Sequence, residues 1–80
     1  MDEQEAFDRY DDAINAWNNN EGSDFIEAAG DFNNWMMEQG YEPLSVDDWL
    51  SDPYFDQEMA DLSEYIDSLN HEDREAFFGY

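Results

Sequence analysis

Eighty residues are enough for one domain, and a chain that short buries a limited share of its surface, so a stable core cannot be assumed. Twenty-three Asp and Glu stand against Arg9 and Arg74, with no lysine, and the resulting net charge of −21 opposes compaction and disfavours direct binding to nucleic acid or an anionic membrane. The absence of cysteine excludes disulfides and thiolate chemistry.

Charge of this order argues for disorder by itself, but 18% of the residues are aromatic, and disordered acidic segments are poor in such strongly burying side chains. A folded domain stabilised by added salt is expected. No apolar run is long enough to span a bilayer and the first residues carry no basic, signal-like stretch, so a cytoplasmic location is expected.

In chain order, Phe7, Tyr10, Ile14 and Trp17 recur at helical spacing and predict a first helix from about Glu3 to Asn18. The run Asn18-Asn19-Asn20-Glu21-Gly22 reads as a turn, with Gly22 taking the left-handed conformation that ends a helix. Ser23 or Asp24 then caps a second helix running to about Gln39, Asp24 and Glu27 having capping-box spacing. Its stripe is Phe25, Ala28, Ala29, Phe32, Trp35 and Met36, and Gly40 is its stop. Ile26 and Met37 fall on the opposite side, which places this helix centrally, or makes that side a contact patch or homodimer seam. Gly30 between them permits close helix approach.

Beyond Pro43, Ser45 and Asp48 again have capping-box spacing and predict one or two helical turns around Trp49 and Leu50. Asp52-Pro53 predicts the start of a long helix with Phe55, Met59, Leu62, Ile66 and Leu69 on its stripe. Asn70 with Asp73 caps a last short helix through Phe78, stopped by Gly79. With three Ile, one Val and no Thr, no strand pattern competes. The expected fold is all-α: a small bundle of three main helices plus one or two short ones, as one domain over residues 1–80.

If the stripes face inward, Glu5, Asp8 and Asp12 line the outer face of the first helix with Asp11 on its flank. Asp61, Glu64 and Asp67 line that of the long third main helix, flanked by Asp56 and Glu58, with Asp47, Asp48 and Asp52 nearby. Neighbours three or four apart on a helix are separated by roughly 4.5 to 6 Å along the axis, and phosphates on one DNA strand advance by about 3.4 Å while winding around it. Rows of carboxylates can therefore approximate a row of phosphates. Like charges at this spacing cost about 0.2 to 0.5 kcal/mol per pair, and no lysine offsets them, so the field itself is the feature to explain.

This composition resembles the small acidic DNA-mimic proteins of phages and plasmids, the antirestriction and anti-CRISPR inhibitors. The resemblance spans the whole chain in charge, size and helical content, rests on no motif, and carries no residue over. It implies a cytoplasmic, non-enzymatic inhibitor whose partner is a basic DNA-binding protein or nuclease complex of the host.

Other chemistries find little support. Carboxylate pairs are numerous enough to arise by chance and no activated nucleophile accompanies them, so no catalytic residue is assigned. No Asp-rich calcium loop ends in Glu, and no glycine-rich phosphate loop exists, so neither metal nor cofactor is expected. His71 reads as a solvated surface residue beside a helix cap. Trp17, Trp35 and Trp49 sit at or near stripe positions and read as core; Trp49, with Tyr54 and Tyr41, is also a candidate aromatic anchor at an interface. The alternative function is accordingly an acidic interaction module, an adaptor, antitoxin-like partner or activation domain, that docks through such anchors.

Overall fold

The computed structural model describes residues 1–58 and 61–78, and within them five helices and no strand: α1 Glu3–Asn18, α2 Gly22–Glu38, α3 Val46–Leu50, α4 Leu62–Ser68 and α5 His71–Phe78. The architecture is all-α, built on two long helices and three short ones. α2 is central, packed on α1 along one side and on α5 along another, which is why it is apolar on two faces. Ile26 is buried in the core and Met37 is half-buried.

The α1–α2 pair meets through small residues. Ala6, Ala13 and Ala16 of α1 and Ala28 and Ala29 of α2 are all buried, so the two backbones approach closely. Phe7 was expected on this stripe, yet it lies at its margin and remains 50% exposed, because the alanines occupy the centre of the contact. Around them, Trp17, Phe25, Trp49, Phe55, Leu62, Ile66 and Phe77 form one core cluster to which every helix contributes. The radius of gyration, 11.6 Å, matches the value of about 11.6 Å expected for a compact chain of this length. Seven Phe and Trp side chains are buried in this body, the main apolar burial set against the self-repulsion of the surface.

Local signals were followed where caps are short-range. Asp2 caps α1 by accepting the Glu5 N–H at 2.8 Å, and Ser45 and Asp48 form the reciprocal capping box of α3. Asn70 accepts the Asp73 N–H at 2.8 Å at the start of α5, and Gly40 takes a left-handed φ of 86° after α2.

Two expectations for the α1–α2 turn are corrected. The turn after α1 places Asn20, not Gly22, in the left-handed region (φ 61°), a conformation Asn tolerates through its short polar side chain. Gly22 is instead the first residue of α2, where a Cβ would stand 2.3 Å from the Tyr65 hydroxyl and would require that side chain to shift. The helix is capped by neither Ser23 nor Asp24: its N-cap is Glu21, without a side-chain cap bond, and Asp24 lies in the first turn.

The largest departure is the long helix predicted from Pro53. Residues 51–58 form turns, and the helix begins only at Leu62, capped by Asp61, which accepts the Glu64 N–H at 3.2 Å. The reason is tertiary. Asn18 at the end of α1 donates to the Tyr54 carbonyl at 2.7 Å and accepts the Asp56 N–H at 2.9 Å, while the Trp17 indole N–H donates to the Asp56 carbonyl at 2.9 Å. Backbone groups that a helix would have paired internally are satisfied by α1 instead. The same clamp stacks Phe55 on Trp17, centroids 5.2 Å apart at 15°. Met59 and Gly79, the expected stripe residue and the expected final stop, lie outside the described residues.

Asn33, which the sequence did not single out, is the one fully buried polar side chain among the described residues. It donates to the Phe77 carbonyl at 2.9 Å and accepts the Leu44 N–H at 2.9 Å, pinning α5 and the 41–45 connection to α2.

Candidate acidic surface

The caps and clamps that shape the fold also determine where its carboxylates stand. Every Asp and Glu except Asp31 and Asp52, which are half-buried, is exposed. On α1, Glu5, Asp8, Asp11 and Asp12 project into solvent, and on α4 so do Glu64 and Asp67, with Asp61 at the cap. The expected row of three therefore stands on a short helix. Asp56 and Glu58 belong to the preceding turns and do not flank a helix.

Several of these anions are held in place by the backbone. Asp48 accepts the Ser45 N–H at 3.0 Å, Asp56 the Glu58 N–H at 3.0 Å, and Asp52 the Tyr54 N–H at 2.8 Å through one oxygen while its other accepts the Tyr10 hydroxyl. Asp11, Asp52 and Tyr54 are brought around one recess of about 300 Å³, lined also by Tyr10, Ile14, Asn15 and Asn18, so the first helix and the turn at Asp52 present acids together. Asp47 is exposed on α3.

A second acidic recess, of about 360 Å³, combines Asp12 with Glu21, Asp24 and Glu27 of the α1–α2 turn and α2. Those three were not among the candidate residues. Their spacing of three is visible in the sequence, where it coincides with the capping-box pattern of Asp24 and Glu27. Among the described residues no group of His, Asp and Glu is arranged to hold a metal ion.

Cationic compensation is small. Arg9 donates to Asp31 through Nε at 3.1 Å and Nη2 at 2.7 Å, and reaches Asp12 at 3.5 Å, so its charge is answered within the α1–α2 interface. The hydrogen bond to Asp31, against an opposing desolvation, raises its pKa. Acids occupy the first turn of every described helix, where the helix dipole favours them, and none of these helices has a basic residue in its last turn. His71 is exposed and lies 2.8 Å from Glu75.

Among the aromatic candidates, Trp49 is corrected. It is fully buried, stacked on Tyr10 at 5.0 Å and 16° and edge-on to Phe25, so it is core and cannot serve as an exposed anchor. Its indole N–H has no hydrogen-bond partner among the described residues. Tyr54 is 80% exposed and Tyr41 61% exposed.

Burial first, then the hydrogen bond to Asp52 and the charges of Asp52 and Asp11, push the Tyr10 pKa upward. The folded state therefore holds this proton more tightly than the unfolded chain. The associated stability is complete below the ordinary tyrosine value of about 10 and is lost as pH rises beyond it toward the folded value. Urea unfolding of the wild type at about pH 8 and about pH 11 should show a larger alkaline loss than the same comparison for Tyr10→Phe. Identical losses would mean that Tyr10 is not buried against Asp52.

Fold and surface define a small, all-α, strongly acidic protein, and none of its described helices is long and apolar enough to cross a membrane. In comparisons with known proteins the chain matches no family model, no curated protein and no solved structure.

Proposed function

We propose that this chain is a DNA-mimic inhibitor, acting in the cytoplasm without catalysis, which occupies the basic DNA-binding groove of a host defence nuclease complex of CRISPR–Cas or restriction type. The observation that carries this reading is the exposure of nearly all the carboxylates on a folded body, several of them fixed by backbone N–H groups. A fixed anion loses less freedom on binding than a mobile one, so a cationic cleft gains more from each contact. Each such carboxylate bound through one oxygen still offers lone pairs to Lys or Arg. Neutralising the cleft in this way denies it to DNA phosphates.

The test is capture of partners from host lysate at low salt, elution by salt, and challenge of the captured complex with duplex DNA. DNA and the protein should displace one another, and capture should weaken steeply with salt. A captured partner that binds both at once, or whose affinity is flat in salt, would rule out mimicry.

A second reading, the interaction module, is favoured by one feature. Tyr54 stands 80% exposed at the lip of the Asp11–Asp52 recess, where an aromatic side chain gains nothing from the core and is available to a partner.

A further inference from the structure

Between α1, α2, the 41–45 connection and the start of α3 lies an apolar groove of about 450 Å³, walled by Phe7, Tyr10, Phe32, Trp35, Met36 and Tyr41. The Phe7 ring sits 6.1 Å from Phe32 and 6.0 Å from Trp35, centroid to centroid, closing the smaller of the two core clusters from outside while keeping half its surface in water. Tyr41 faces it from the connection. Two large exposed rings beside one groove leave an apolar surface available to a partner. The groove is also lined by Glu3 and Asp48, first-turn acids of α1 and α3, and the Asp48 carboxylate is held by the Ser45 N–H.

We propose that this groove docks a cationic amphipathic segment of a protein partner, with one apolar side chain seated among Phe7, Trp35 and Tyr41 and flanking Lys or Arg meeting Glu3 and Asp48. Charge selects the occupant. A second copy of the chain would bring a net charge of −21 against another −21, and an anionic lipid or nucleic acid is repelled in the same way. A basic segment with an apolar anchor satisfies both the lining and the rim. The inference goes beyond charge mimicry and does not rest on it, because the anchor contributes a contact that salt does not screen.

The isotope-labelled protein is titrated, at high salt, with two synthetic peptides of equal charge, one an amphipathic Lys/Leu helix former and the other with Ser in place of Leu. The Lys/Leu peptide should bind at least about tenfold more tightly, one buried aliphatic anchor sufficing for that factor. The largest NMR shifts should fall on the Trp35 indole N–H and the Phe7 and Tyr41 amides. Phe7→Ser with Tyr41→Ser should abolish the difference between peptides with circular dichroism unchanged. If that pair unfolds the protein, Tyr41→Ser alone, at a 61% exposed position, should still reduce it. Equal affinities, shifts confined to other surfaces, an unaltered difference in the folded variants, or Phe7-dependent dimers of the protein alone in sedimentation would each overturn the proposal. Failure of DNA competition would leave these outcomes untouched.

Discussion

Gly30→Ala is expected to lower the melting temperature by on the order of 10 to 20 °C, although alanine is the better helix former by about 1 kcal/mol. The cause is a single contact. A Cβ at Gly30 would stand 1.7 Å from the Ala76 carbonyl oxygen, and the obstacle is backbone, which cannot rotate aside. α5 would have to retreat from α2 by more than an ångström. That movement breaks the 2.9 Å bond from Asn33 to the Phe77 carbonyl and withdraws Phe77, which is fully buried against Phe25. Overpacking of this kind costs about 1 to 3 kcal/mol, and losing a buried Phe costs about 3 to 5, so a partial retreat amounts to roughly 2 to 4 kcal/mol. A domain of this size is stable by only about 4 to 12 kcal/mol in total. Thermal unfolding followed by circular dichroism measures the effect; a raised melting temperature, as helix propensity alone would give, would mean that α5 does not dock on α2 through this contact.

How much of this was legible beforehand follows from the range of the interactions involved. The bounds of the first helix, the Ser45–Asp48 box, the Gly40 stop and the Asn70 cap are decided within a few residues, and reading along the chain recovers them. Gly30 was legible as a point of close approach because it interrupts an otherwise good helix, though its neighbour in α5 was not. The 51–58 segment has a helical pattern, but its backbone is held by Asn18 and Trp17, some forty residues earlier, and no local signal shows that. Asn33 gave no signal, since a lone Asn in a helix looks like a surface residue until its two distant partners are known.

The acidic surface was legible as a total and only partly as a pattern. Exposure of Glu5, Asp8, Asp11 and Asp12 follows from the stripe opposite them. The meeting of Asp11 with Asp52 and Tyr54 depends on the Tyr10–Asp52 hydrogen bond and the Asn18 clamp, which no periodicity encodes. The groove beside Phe7 was hidden for a related reason: alanines take the centre of the α1–α2 contact and displace the ring to its edge.

The central claim is that an aromatic core holds uncompensated carboxylates in place for a cationic cleft. Two folded, charge-neutralised variants address it: Asp61→Asn with Glu64→Gln and Asp67→Asn, and Glu5→Gln with Asp8→Asn and Asp11→Asn. Asn at position 61 preserves the α4 cap, and removing Asp67 relieves an acid from that helix's unfavourable last turn. Relief of like-charge pairs at about 0.2 to 0.5 kcal/mol each offsets the dipole stabilisation lost with the first-turn acids Glu5 and Glu64, so both variants should stay close to wild-type stability. Exposed ion pairs contribute about 0.2 to 1 kcal/mol each, so losing three of them should weaken binding to the captured partner by about threefold, and up to about a hundredfold. The decisive measurement is the dissociation constant of each variant for that partner, with helicity checked in the same samples. The account predicts a loss of this size for at least one row at unchanged helicity; wild-type affinity in both variants would contradict it.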